Sequence, residues 1–290
     1  FSADDPGPRQ ALLDAGLSLR MNPHGRKLTE SEVRGLLSEH RPVGMIAGLE
    51  PLTRGVLESA AAHLRVISRC GTGMENVDCA AAAALSMRLY NTPDAPAQAV
   101  AELSLGLMLC VLRRIAEADQ ALRSGTWKSL RGRLLGDKTV GVVGLGRIGS
   151  RVAALVQGFG CRVLGIDPMD VAAPGVRRGG LDELIEAADI ITLHLPLSDA
   201  TRCLFDDRRL RRMKPGGVLI NASRGGLVDE EALVEALRSG RLGGAGIDVY
   251  EEEPYSGPLR DCPNCVLTSH MGSAAEECRL RMEREAAENL

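Results

Sequence analysis

Short apolar runs of four or five residues alternate along this chain with longer segments whose apolar positions recur at helical spacing. Thr29 and Glu32 make a capping box, which predicts a helix from there to about His40. Runs at 44–47 and 66–69 read as strands, an Ala-rich helix fits 78–86, and 87–90 is a third short strand. Residues 1–8 read as a turn and helix start, so a domain of this pattern would take a further first strand from residues preceding Phe1. After Asn91-Thr92-Pro93-Asp94-Ala95-Pro96, a proline-punctuated break suited to a hinge, one long helix is predicted over 98–125. It is apolar on most faces between Leu103 and Leu112, so it belongs in a core or against a second subunit. Strand–helix units then repeat, with strands at 139–143, 162–166, 190–193, 218–221, 245–248 and 266–268, and a last helix spans 273–290. Such alternation predicts an α/β protein with parallel sheets covered by helices.

Composition narrows the classes. At about 150 residues per domain, 290 residues suggest two domains. A net charge of −3 and seven aromatic residues exclude a strongly basic nucleic-acid binder and a base-stacking surface. The uncharged stretch 103–112 is half a membrane span, and no signal segment opens the chain, so neither a membrane nor a nucleic-acid partner is expected and the location is read as cytoplasmic. Eight scattered cysteines are read as reduced thiols. Cys262-Pro263-Asn264-Cys265 lacks a second pair and is read as a loop feature; no metal site is expected.

Gly144-Leu145-Gly146-Arg147-Ile148-Gly149 is G-x-G-x-x-G between a strand and a helix, and a second strand ends in Asp167, eighteen residues on (167 − 149). That is the dinucleotide fingerprint. Gly144 permits the tight turn, Gly146 lets the backbone approach a diphosphate, and Gly149 lets helix and strand pack closely. Asp167 can accept from ribose hydroxyls and repels a 2′-phosphate, which favours NAD over NADP. Three further polar residues follow predicted strands: Arg224, Glu253 and His270. Ligands collect at the carboxyl ends of parallel strands, and this set suits hydride transfer at a carbonyl carbon. Arginine can fork onto an oxyanion, histidine moves a proton near neutral pH, and a carboxylate can hold its ring. Each also has a bland reading: a surface arginine, one acid of a solvated run, a turn histidine.

At these motifs the chain resembles the D-isomer-specific 2-hydroxyacid dehydrogenases, most closely the phosphoglycerate dehydrogenase branch. The resemblance runs through Arg69-Cys70-Gly71-Thr72-Gly73-Met74-Glu75-Asn76-Val77-Asp78, Asn91-Thr92-Pro93, Val100-Ala101-Glu102, Gly141–Gly149, His194-Leu195-Pro196-Leu197, Asn221–Gly226, Asp248–Pro254 and Ser269-His270-Met271-Gly272. It implies catalytic roles for Arg224, Glu253 and His270, and a substrate-carboxylate loop at Gly71-Thr72-Gly73, with Arg224 also on the substrate. For the cofactor it implies Gly144, Gly146, Arg147, Ile148, Gly149 and Asp167; His194, Pro196 and Thr201 on the adenosine side; and Ala222, Ser223, Asp248 and Gly272 on the nicotinamide side. The implied architecture is a flavodoxin-like substrate domain from residues 1–94 and 273–290, with a Rossmann NAD-binding domain, 95–272, inserted and closing over the substrate. A homodimer built on the long helix, and a small 2-keto or 2-hydroxy acid as substrate, are implied as well. In one respect the chain departs. Some relatives place an arginine after the strand matching 44–47, near a substrate phosphate, whereas this chain has Gly48-Leu49-Glu50-Pro51. A phosphate would need Arg69, Arg113 or Arg114 instead. Cofactor-sensing corepressors and formate or phosphite dehydrogenases share the family and stand as alternatives.

Overall fold

Residues 6–290 are described by the computed structural model, and they divide between two units. One comprises the chain up to Pro96 together with Ser273–Leu290; the other is Ala97–Gly272. Phe1–Asp5, where the turn was expected, lie outside the described residues; a helix, Pro6–Asp14, follows them.

The smaller sheet has three parallel strands in sequence order, β1 (Gly44–Ala47), β2 (Val66–Arg69) and β3 (Arg88–Asn91). Ala47, Arg69 and Asn91 stand level at its carboxyl edge. Helix Glu30–His40 starts at the expected capping box: Thr29 Oγ1 accepts from the Glu32 N–H and the Glu32 carboxylate accepts from the Thr29 N–H. Its Val33 and Leu37 bury against Leu52, Val56, Leu57 and Ile67. At about 25 cal/mol per Å² of apolar surface removed from water, that face holds the helix more than its caps do.

The larger sheet has β4 (Thr139–Val143), β5 (Arg162–Ile166), β6 (Val176–Arg178), β7 (Ile190–Leu193), β8 (Gly217–Asn221), β9 (Leu242–Ile247) and β10 (Cys265–Leu267). All are parallel, in the order β10-β9-β8-β7-β4-β5-β6. Every residue of β4, β7 and β8 is buried, because helices cover both faces. One apolar core includes Val143, Leu184, Phe205 and Leu219; the other includes Met108, Val140, Val152 and Ile220. Strand order reverses between β4 and β7, the place where a crevice opens beyond the carboxyl ends.

The helix expected over 98–125 is instead two, Ala95–Arg113 and Ile115–Arg123, broken at Arg114 with φ 54°. Neither proline nor glycine lies at the break. The Leu112 carbonyl accepts from the Arg133 N–H at 2.9 Å, so a distant segment takes the bond that would continue the helix. Leu107, Met108 and Leu112 are buried before the break, whereas no residue of Ile115–Arg123 is. By length and composition alone, Ala95–Arg113 is long and apolar enough to cross a membrane.

Candidate functional site

The glycine loop leaves β4 at the reversal point, and three spacings explain its glycines. Gly144 has φ +93°, and a Cβ there would lie 2.5 Å from the His194 carbonyl oxygen. At Gly149 a Cβ would lie 1.8 Å from the Gly144 oxygen, so only glycine lets this helix reach the loop. A Cβ on Gly146 would meet nothing within 4 Å: the space beyond it is open. Helix Arg147–Gly158 starts there with no side-chain cap, leaving backbone N–H groups and the positive end of its dipole for an anion. The Asp167 carboxylate follows β5 and braces the loop, accepting from the N–H groups of Leu145 (2.7 Å) and Met169 (2.8 Å). These residues fit a dinucleotide diphosphate and its ribose.

His194, Pro196 and Thr201 follow β7. The His194 Nε2 meets Thr192 Oγ1 at 2.9 Å, whereas its buried Nδ1 has no hydrogen-bond partner. Burial holds the ring's pKa down to about 3, so it is neutral in the folded protein. The unfolded chain takes up a proton below about pH 6.5, so folding stability falls as pH drops beneath that value, with a slope approaching ~1.4 kcal/mol per pH unit. Urea unfolding at about pH 7.5 and 5.5 is expected to show a smaller acid loss in His194→Asn than in wild type. Thr201 braces its own turn, donating to Pro196 O at 2.8 Å and accepting from the Ser198 N–H.

Beyond β8, Asn221 is buried and organises the Arg224 loop, donating to Arg224 O (2.8 Å) and accepting from the Ser223 N–H (3.2 Å). Ser223 Oγ donates to Leu195 O, and the Arg224 guanidinium donates to Ser223 O, both at 2.6 Å. Ala222 lies between them in the same turn. Gly225 lets this loop press against the next one, since a Cβ there would fall 2.0 Å from the Tyr250 carbonyl carbon.

After β9 and β10 the structure joins two of the three chemical residues. His270 Nδ1 lies 2.8 Å from Glu253 Oε2 and 3.0 Å from Oε1. His270 has φ 52°, an uncommon state for a residue with a side chain. Asp248, fully buried, holds that turn in place: its carbonyl accepts from the His270 N–H, and its carboxylate from Thr268 Oγ1 (2.6 Å) and the N–H groups of Met271 (2.9 Å) and Gly272 (3.0 Å). The Glu253 loop is held likewise. The Tyr250 N–H donates to Glu253 Oε1 at 3.1 Å, Tyr250 stacks on Tyr255 at 4.2 Å, and Glu230 accepts from the Glu251 N–H at 2.7 Å. Burial pushes the Glu230 carboxyl and the Tyr250 phenol up. Asn221, Gly225 and Tyr250 lie in motifs read from the sequence but have no role assigned there, and Glu230 lies in none; their parts depend on which loops become neighbours.

Gly71-Thr72-Gly73 lies in the other unit, after β2. The Gly71 N–H donates to Thr92 Oγ1 at 2.7 Å and Asn91 Nδ2 donates to Thr72 O at 2.8 Å. These bonds fix the loop and use neither the Thr72 nor the Gly73 N–H. Cys262 and Cys265 flank a turn with free thiols, and among the described residues no cluster could hold a metal ion.

Residues 105–272 match the family model described as D-isomer specific 2-hydroxyacid dehydrogenase, NAD binding domain. A D-3-phosphoglycerate dehydrogenase of Mycobacterium leprae is 41% identical over 239 residues, 80% of this chain and 45% of that protein. The chain thus spans about half the length of the curated relatives it matches. Among solved structures, the TT0316 protein of Thermus thermophilus superposes with TM-score 0.89 at 38% identity, covering 98% of this chain and 92% of that one. A glyoxylate reductase from Paecilomyes thermophila also gives 0.89, at 28% identity, covering 97% and 89%.

Proposed function

From a chain that belongs to the D-isomer specific 2-hydroxyacid dehydrogenase family, we propose an NAD-dependent enzyme that interconverts a small D-2-hydroxy acid and its 2-keto acid. The observation that carries this reading is the His270–Glu253 pair, on the same strand edge as the glycine loop. NAD, when bound, carries the hydride. The N–H groups at Arg147, Ile148 and Gly149 take its diphosphate, Asp167 its adenosine ribose, and Ala222, Ser223, Asp248 and Gly272 its nicotinamide end. His270 gives a proton to the keto oxygen in reduction and takes it back in oxidation. Because Glu253 occupies Nδ1, the exchanging proton sits on Nε2. Arg224 polarises the carbonyl, and the Gly71-Thr72-Gly73 backbone holds the substrate carboxylate. We place the enzyme in the cytoplasm, in keeping with its eight unpaired thiols.

The test is NADH oxidation with a panel of 2-keto acids, beside NAD reduction by formate and phosphite. Turnover of a keto acid alone supports the reading; NADH binding without turnover of any compound contradicts it. Asp167 sets the cofactor. NADH is expected to exceed NADPH in kcat/KM by about tenfold or more, and Asp167→Asn to narrow that ratio while its remaining oxygen still braces Leu145.

We also propose a homodimer. Ile115, Leu122 and Leu134 are exposed, and Trp127 is 89% exposed, all within one segment. Ile115 and Leu122 line one hollow with Ala118, and neighbouring exposed apolar side chains favour an interface. Light scattering is expected to give twice the chain mass, and the paired change Leu122→Glu with Trp127→Glu to give the single-chain mass.

A further inference from the structure

Asp167 is the first residue of a stretch, 167–175, that joins β5 to β6 without a helix or strand of its own. Its carboxylate, accepting from the Leu145 and Met169 N–H groups, ties the start of this stretch to the glycine loop. One side chain then gathers the rest. Arg178, the last residue of β6, stands level with Gly165 of β5. From there its guanidinium reaches the loop: Nη2 donates to Asp167 O at 2.9 Å and to Met169 O at 3.0 Å, and Nη1 donates to Val171 O at 3.3 Å. Met169 O also accepts from the Val171 N–H at 2.9 Å, which closes a tight turn within the gathered span. Gln157, on the helix that follows the glycine loop, secures the far end by donating to Pro174 O at 3.0 Å. All of these residues belong to the larger unit.

Arg178 is exposed, and bonds of an exposed charged side chain add little to overall stability. Their effect is local order. A planar fork that holds three carbonyls at once leaves 167–171 few conformations. A ligand that meets a loop already in its bound shape does not bear the cost of ordering it. Arg177, beside it on the same strand and also exposed, is paired instead with Glu183 at 2.7 Å.

We propose that Arg178 is a positioning residue for the adenosine end of NAD: by gathering Asp167, Met169 and Val171, it keeps the Asp167 carboxylate beside the glycine loop, set for the ribose hydroxyls. The guanidinium acts through the loop and does not touch the cofactor. The proposal rests on the NAD-dependent reading above and adds a residue to that site.

The experiment measures binding of ADP-ribose by calorimetry, and of NADH and NADPH by fluorescence, for wild type, Arg178→Gln, Arg178→Lys and Arg177→Gln, with urea unfolding as the check on folding. ADP-ribose keeps the adenosine end and lacks the nicotinamide, so it reads this site without turnover. Arg178→Gln should bind ADP-ribose and NADH about tenfold more weakly, unfold at the wild-type urea concentration and keep kcat at saturating NADH within about twofold. Arg178→Lys restores the charge but not the fork, and should stay at least about threefold weaker than wild type. Arg177→Gln loses the same charge and should match wild type. Undiminished ADP-ribose binding by Arg178→Gln overturns the proposal. So does an equal loss in Arg177→Gln, or full recovery in Arg178→Lys, since charge would then be the cause. A larger loss for NADPH than for NADH puts the guanidinium on the cofactor itself and overturns it too. Weaker binding with a lowered urea midpoint makes the role one of stability and likewise overturns it. Each of these outcomes spares the reductase reading. A wild-type protein that binds neither ADP-ribose nor NADH overturns both.

Discussion

His270→Ala is expected to reduce 2-keto acid turnover by about 10²–10⁴-fold, the usual contribution of a placed proton donor, with NADH affinity unchanged. The separation follows from where the residue sits. Its ring meets Glu253, and its backbone bond to the Asp248 carbonyl is open to alanine as well, whereas the glycine loop and Asp167 follow β4 and β5. Glu253→Gln is expected to give a smaller loss, because an amide oxygen can still accept from Nδ1. Steady-state rates with fluorescence titration of NADH check both. Near-normal turnover in His270→Ala would falsify the proton-donor role.

The second large effect lies in the glycine loop, where two single-methyl changes should fail differently. Gly149→Ala puts a carbon 1.8 Å from the Gly144 oxygen, backbone against backbone. Neither partner is a flexible side chain, so the loop or the helix must shift. A cost of about 1–3 kcal/mol in stability, or more, is expected together with loss of NADH binding. Gly146→Ala meets no protein atom, and its backbone, φ −65° and ψ −161°, suits alanine. It should unfold at the same urea concentration as wild type and yet bind NADH at least about tenfold more weakly, because its methyl fills the space meant for the diphosphate. Equal NADH binding by Gly146→Ala and wild type would remove the cofactor from this loop.

Several strands were legible to the residue: Gly44–Ala47, Val66–Arg69, Thr139–Val143, Arg162–Ile166 and Ile190–Leu193. They lie in parallel sheets, and the three from the larger sheet read as almost unbroken apolar runs. Other features escaped for physical reasons. The break at Arg114 is made by the Arg133 N–H, 19 residues away (133 − 114), and carries no local signal. Strand Val176–Arg178 has three residues, two of them arginine, and is a strand only because β5 offers it an edge. Within the site, order and spacing pointed to His270 and Glu253, and the fold does place them in contact. The Arg224 loop is another matter. Its shape depends on Asn221 and on the closeness of Gly225 to Tyr250, and no spacing along the chain encodes that. The helix break, the buried Asp248 beneath His270 and the Glu230 contact all belong to the same class, bonds between residues that only the folded chain brings together.

The central claim is that this chain transfers a hydride between NAD and the second carbon of an acid in one stereochemical sense. It is tested most directly by reducing a 2-keto acid with NADH deuterated at the transferring position and analysing the product by chiral chromatography and mass spectrometry. The account predicts a D-2-hydroxy acid carrying one deuterium on its second carbon. An L-product, a product without deuterium, or unconsumed NADH in a protein that binds it would contradict the account.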